Sequence, residues 1–347
     1  MKRMKPNIFD YATSELSQDA FWGWLFKWAE KDNAQFDEYL CKCAKECLLM
    51  FLGNISLLNI ENVEIYRQWE NIDLWITVNH DYHIIIEDKI GTSEHDNQLE
   101  RYKKIAKEWY ENEGKQDYDT HFSFVYYKIG DITPYERNIV KKAEYKLIDR
   151  DQVLSIFEKY EISNSLFNDY KEKIKSIQNL QNSIFNISFD EILKMEDKDA
   201  YVKSFYINLS PKLGESDWGY VNNPNKSFYG MWWYWCSWTY GTFYFQFNEF
   251  ELYIRICDVK NTNIPQDARN IAHEKVINAA NKNDRFKGKI EKPTRFGVGN
   301  SMAIAKINQD LWLSTDENGS LDINRISENL HTLEKFLWSE VLQNEEL

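Results

Sequence analysis

Asp73, Glu87 and Lys89, two carboxylates and an amine in the stretch IDLWITVNHDYHIIIEDKIG, are the residues whose types and spacing could do chemistry. Side chains two apart on a strand share a face, so Glu87 and Lys89 would point the same way, while Ile84, Ile86 and Ile90 fall on the other face with Asp88. A strand this apolar is expected to be covered on both sides. Burying a charge there costs several kcal/mol unless it is paired or bound to a metal. Two carboxylates from adjacent strands could hold Mg²⁺, a hard cation that prefers oxygen ligands and keeps waters and phosphate oxygens in its shell. The chemistry would be metal-assisted phosphodiester hydrolysis, with the lysine orienting the attacking water. On spacing alone an ordinary ion pair between Glu87 and Lys89, with Asp73 capping a turn, is the stronger reading, because Glu-x-Lys arises often by chance in a chain that is 28% charged.

The elements that must position these residues follow from periodicity. Ser17 reads as an N-cap for a helix to about Ala29, and a second amphipathic helix covers 35–51 and stops near Gly53. The period then changes: 63–69, 72–78 and 82–90 read as strands, the last two joined by an Asn79-His80-Asp81 turn. A helix over 94–111, a strand over 122–129, a short strand over 145–148 and helices from about Asp151 and Asn168 complete the first half. From about residue 186 the texture shifts to a second α+β domain. It opens with a helix over 190–207 and continues into an aromatic stretch, MWWYWCSWTYGTFYFQFNEFELYIRICDV, that reads as two long paired strands. A helix over 266–281, a strand over 295–307, a turn at Asn318-Gly319 and a helix over 322–342 follow. The expected division is 1–185 and 186–347.

Several classes are disfavoured. With only 13 Gly and 6 Pro in 347 residues, and 43% hydrophobic content, the chain is neither low-complexity nor disordered. A net charge of −13 repels a phosphate backbone at long range but says nothing about a local site. The opening segment, with Asp10, Glu15 and Asp19 and an apolar run broken by Lys27, does not read as an export signal. No run is long enough for a membrane span, and the five cysteines read as reduced thiols of a cytoplasmic protein. Cys41, Cys43 and Cys47 lie on one helix with no second ligand pair at finger spacing, which favours helix packing over zinc. There is no phosphate-binding loop; Gly297-Val298-Gly299 lacks a third glycine and falls where a strand is expected. His273-Glu274 lacks the second histidine of a metalloprotease helix, because Ile277 stands there, and no serine nucleophile elbow occurs.

Context changes the weight of the first constellation. Ile72-Asp73, followed by Glu87-Asp88-Lys89, resembles the motif of the PD-(D/E)XK nuclease superfamily, with Ile in place of the motif's proline. It is set in the helix, three strands, helix, strand order of a restriction-endonuclease-like core. The opening NIFDYATSELSQDAFWGWLFKWA, carrying Glu15, and the Gln98-x-x-x-Tyr102 pair resemble one bacterial and phage branch of that superfamily. The resemblance covers about residues 7 to 150, and four elements in order are more specific than any one. It implies an α/β fold: an αβββαβ core with a central mixed sheet flanked by helices, followed by a C-terminal α+β domain. It implies Asp73 and Glu87 as metal ligands with the Asp88 backbone carbonyl as a third, Mg²⁺ as cofactor with Mn²⁺ able to substitute, and Lys89 positioning water. Glu15 would bind metal or a metal-bound water, Gln98 would orient the lysine or a phosphate, and the products would carry a 5′-phosphate and a 3′-hydroxyl. Read from the residues alone, Glu15 equally well satisfies backbone amides at a helix start, and Gln98 and Tyr102 lie on one face of a helix packed on the sheet.

The implied substrate is nucleic acid, DNA before RNA, in a setting such as phage defence or mobile-element biology. Arg101, Lys103, Lys104 and Lys107, with Tyr102 among them, make one helix locally basic, and Arg285, Lys287, Lys289, Lys292 and Arg295 cluster in the second domain. Either group could meet phosphates, although such lysines are more often simply solvated. Trp232, Trp233, Tyr234, Trp235, Trp238 and Tyr240 could stack on bases, with core packing or a partner interface the commoner use of such a stripe. The second domain is expected to recognise substrate, signal, a protein partner or another copy of the chain. The competing reading is a catalytically inactive nuclease-fold module that binds protein or nucleic acid.

Overall fold

The computed structural model describes residues 5–53, 59–91, 97–115, 117–223, 227–260 and 265–343. The chain divides into two compact units between Asn179 and Leu180.

The first unit opens with α1 (Glu15–Lys27) and α2 (Glu38–Leu52). The N-cap of α1 is Ser14 rather than the expected Ser17, so Glu15 is the first helical residue and Asp19 sits a turn further in. Asp37 caps α2 by accepting from the Leu40 N–H, and the helix ends at Gly53, whose φ of 76° favours glycine. Cys41, Cys43 and Cys47 are free thiols buried on α2. Three antiparallel strands follow: β1 (Val63–Trp69), β2 (Ile72–Val78) and β3 (Tyr82–Lys89). Tight turns join them, with positive φ at Glu70 and Asn71 and at Asn79 and His80, the twist that hairpins prefer. Next come α3 (Gln98–Asn112), the single turn α4 (Tyr118–His121) and β4 (Phe122–Lys128), which runs parallel to β3. A parallel neighbour needs a crossover, and α3 is part of it. Residues 94–96 of the expected helix lie outside the described residues; the described helix begins at Gln98.

A helix that pattern reading omitted, α5 (Pro134–Lys142), is capped by Thr133 and started by Pro134, and leads to β5 (Lys146–Asp149), parallel to β4. Helices α6 (Arg150–Phe157) and α7 (Ser165–Gln181) close the unit. The sheet order is β1-β2-β3-β4-β5, a mixed sheet covered on both faces. Leu74, Ile76, Ile84, Ile86 and Tyr127 pack with Trp22, Leu25 and Phe51 of α1 and α2. Trp75 and Ile85 pack on the opposite side with Tyr102, Ala106 and Tyr110 of α3. That two-sided burial is what the isoleucine run in β3 requires.

In the second unit, α8 (Phe189–Leu193) and α9 (Asp199–Leu209) stand where one helix is expected over 190–207. An antiparallel sheet follows, with β6 (Ser216–Val221), β7 (Phe228–Trp238), β8 (Gly241–Asn248) and β9 (Glu251–Cys257). The aromatic stretch therefore holds three strands and not two. Its second reversal, at Glu249 with φ 53°, contains neither Gly nor Pro. After α10 (Pro265–Lys282) come β10 (Ile290–Glu291), β11 (Ser301–Ile307) and α11 (Ile323–Phe336), which continues as a π-helical turn over Leu337–Leu342. Residues 295–300, expected as strand, form a loop that contains Gly297 and Gly299. The sheet order is β10-β11-β9-β8-β7-β6. Trp233, Phe245, Phe247, Ile254 and Ile256 pack on one face with Phe205, Ala272, Val276 and Leu330 of the helices.

Candidate active site

Strands β2 and β3 bring Asp73, Glu87, Asp88 and Lys89 together at one end of the first sheet. The Asp88 backbone N–H donates to Asp73 Oδ2 at 3.0 Å, and Gln68 Nε2 donates to Asp73 Oδ1 at 3.2 Å. Glu87 is 0% exposed and Lys89 5%, and their side chains meet as an ion pair, as expected for residues two apart on one face. Glu15, at the start of α1, reaches the same place: its Oε2 is 3.9 Å from Lys89 Nζ, and its Oε1 accepts from the Ile90 N–H at 3.4 Å. It thus serves another element's amide as well as the lysine. Gln98 opens α3 half-buried, and one turn on the Tyr102 hydroxyl is buried beside the Glu87 carboxyl.

The electrostatics follow from burial. Loss of water, reinforced by the Asp73 charge, pushes the Glu87 carboxyl up to about 7 against the pull of Lys89. Burial works to lower the Lys89 ammonium, yet Glu87, Glu15 and Asp73 outweigh it and raise its pKa. Tyr102 is held protonated by burial and by the neighbouring Glu87. Lys89 and the Tyr102 hydroxyl are the polar groups that meet the Glu87 carboxyl. One ammonium and one hydroxyl do not offset the full loss of hydration at this carboxylate, as its raised pKa shows, and a divalent cation is a partner that would.

Behind this cluster lies a layer that sequence reasoning missed. Asp88 turns to the opposite face, where Gln18 Nε2 donates to it and Asp19 lies against it. Burial, opposed by the hydrogen bond with Asp88, pushes Asp19 up to about 6; burial and the Asp19 charge raise Asp88 further. Two buried carboxyls in contact resist being charged at the same time, which is why the Asp19 charge raises Asp88. Gln68 Nε2, 3.4 Å from Asp19 Oδ2, links this layer to Asp73, and Tyr170 donates to Gln18 Oε1 at 3.0 Å. The signal was the spacing Glu15, Gln18, Asp19, which places all three on one face of α1.

A family model for the PD-(D/E)XK nuclease superfamily matches residues 6–202, more than half of the chain. The chain belongs to the PD-(D/E)XK nuclease superfamily. Its five-stranded mixed sheet flanked by helices is consistent with that superfamily's fold. No curated protein and no solved structure matches the chain significantly. PD-(D/E)XK proteins are generally nucleases that act on nucleic acid and typically use divalent metals. Among the described residues, no three Asp, Glu, His or Cys side chains converge as a ready-made ligand set. Asp73 and Glu87 are hard oxygen donors of the type a divalent cation takes, and the Asp73 charge acts on the Glu87 carboxyl. No described helix is long and apolar enough to cross a membrane.

The basic residues are less available than their number suggests. Lys103 pairs with Glu144 at 3.1 Å, Lys104 with Glu108 at 3.7 Å and Lys107 with Glu111 at 4.0 Å. Arg101 is exposed beside the Tyr102 ring and, among the described residues, has no carboxylate partner. In the second unit Arg285 and Lys287 are exposed, and Lys289 half-buried, around the loop after α10.

Proposed function

We propose that this superfamily member is a Mg²⁺-dependent phosphodiesterase that hydrolyses DNA. The observation that supports the reading is the meeting of Asp73, the fully buried Glu87 carboxyl and Lys89 at one end of the sheet. Asp73, Glu87 and the Asp88 carbonyl would hold the cation, with Mn²⁺ able to replace it. Bound there, it would acidify a water and offset charge on the pentacoordinate phosphorus.

The chain's own groups do the rest. Lys89, kept cationic by Glu87 and Glu15, donates to the attacking oxygen and holds it in line with the phosphorus. Asp73, tied by Gln68 and the Asp88 amide, is fixed in orientation before substrate arrives. Glu15 takes a water on the open side, and Gln98 steadies the lysine or a phosphate oxygen. Arg101, Lys103 and Lys104 on α3, and Arg285, Lys287 and Lys289 in the second unit, contribute phosphate contacts; surplus acidity elsewhere keeps non-specific binding weak.

End-labelled DNA and RNA strands and duplexes, incubated with the full chain, test the reading. Cleavage is expected with Mg²⁺ or Mn²⁺, none is expected in EDTA, and DNA should be cut faster than RNA. Undiminished cleavage in EDTA would overturn it.

A further inference from the structure

The second unit carries a separate feature that hydrolysis does not use. One face of its sheet is packed with helices, and the opposite face of β7, β8, β9 and β11 lines a half-open trough of about 750 Å³. Trp232 and Trp235 on β7, Tyr244 on β8 and Tyr253 on β9 supply its rings, and Arg255 and Arg295 its charge. Simple alternation would send Trp235 into the core. A bulge between Trp233 and Cys236, with φ 59° at Tyr234, shifts the register. Trp233, Cys236 and Trp238 therefore stay in the core while Trp232 and Trp235 line the trough, Trp235 at 41% exposure.

The floor is built, not incidental. Gln246 is only 8% exposed, donates to Asn248 Oδ1 and accepts from the Tyr244 hydroxyl at 3.3 Å. Tyr244 bonds Ser301, and Arg255 is held by the Ser301 hydroxyl at 2.9 Å, the Ser301 carbonyl at 3.1 Å and the Tyr244 oxygen at 3.2 Å. Every anchor of that guanidinium is a neutral oxygen. Among the described residues no carboxylate lies within salt-bridge distance of Arg255 or Arg295, and no Asp or Glu lines the trough, although the chain carries −13 overall.

Rings to stack on and two guanidinium groups without a carboxylate partner among the described residues select a ligand that is planar and anionic. The acids on this face, Glu251 bonded by the Tyr253 hydroxyl at 2.8 Å and Asp217 opposite Trp232, stand beside the lining and not in it. The aromatic positions extend over three adjacent strands, roughly 10 Å at about 5 Å per strand, wider than one stacked ring. We infer that this trough binds single-stranded nucleic acid, its bases on Trp232, Trp235 and Tyr253 and its phosphates on Arg255 and Arg295. A duplex, with its bases already stacked on each other, cannot use the rings. The inference rests on residues of the second unit and stands apart from the proposed hydrolysis.

Fluorescence anisotropy of labelled mixed-sequence oligonucleotides with the full chain in EDTA tests it without cleavage. Saturable single-strand binding that weakens with salt is expected, with the matching duplex and free mononucleotides competing poorly. Trp235→Ala should weaken binding roughly 5- to 100-fold, and Arg295→Gln should lessen its salt dependence by about one phosphate contact. Both positions are exposed, so a matching melting temperature will show that the fold survives. Glu87→Gln should bind like the parent, which separates this site from the nuclease reading. No saturable binding, unchanged binding by both variants, or equal competition by mononucleotide or duplex would overturn the inference.

Discussion

Glu87→Gln abolishes cleavage, lowering the single-turnover rate about 10³-fold or more, while the metal-free protein keeps or gains stability. The activity loss follows from removing one of two charged oxygen donors at a site where charge stabilisation is the main catalytic resource; that factor corresponds to ~4 kcal/mol of barrier. The stability half follows from burial. Glu87 is 0% exposed and its carboxyl is pushed up to about 7, so lost hydration outweighs the attraction of Lys89. A neutral amide of the same shape removes that cost, and the Lys89 ammonium keeps Glu15, 3.9 Å away, as its counter-ion. Residues placed for chemistry commonly trade stability in this way. Single-turnover cleavage with Mg²⁺, beside urea denaturation in EDTA, reads both halves. Lost activity accompanied by a large loss of stability would instead mark Glu87 as a structural ion-pair partner.

Lys89→Met carries the second large effect. The ammonium is 5% exposed, contacts Glu87 and lies 3.9 Å from Glu15. Without it, Glu87 either stays charged with no counter-ion, at a cost of about 3–5 kcal/mol, or escapes part of that cost by taking up a proton, so the loss of stability is larger at high pH than at neutral pH. Cleavage falls by about 10²- to 10⁴-fold, the usual range for a group that manages a proton in the transition state. These two losses have different remedies. In the Glu87→Gln, Lys89→Met double variant neither charge remains, so most of the stability returns and the activity does not. A double-mutant cycle on denaturation midpoints measures the coupling. A double variant as unstable as Lys89→Met alone would show that the lysine's packing, not its charge, holds this end of the sheet.

The reach of the sequence is clearest where the relevant physics is local. Asp73, Glu87 and Lys89 were legible because strand alternation and a two-residue turn at Asn79-His80 fix their faces within one hairpin. Family membership was legible from the order of elements around them. The layer of Gln18, Asp19 and Gln68 was not, because the Gln18 to Asp88 contact joins positions 70 residues apart and depends on how α1 docks. Placing the first helix three residues late also put Asp19 at its start, whereas it lies a turn further in, fully buried against Asp88. In the second unit the reversal at Glu249 and the bulge at Tyr234 use positive φ without glycine, so composition gave no sign of either. The omitted α5 did have a local signal, Thr133-Pro134 with Glu136 three residues after the cap.

The central claim is that Asp73 and Glu87 hold a divalent cation beside Lys89. Crystals of the full chain soaked in Mn²⁺, with data collected to locate its anomalous scattering, test that claim most directly. The account predicts a peak between the Asp73 and Glu87 carboxylates that disappears in Glu87→Gln. Mn²⁺ bound elsewhere in the first unit, with no peak between these two carboxylates, would contradict it.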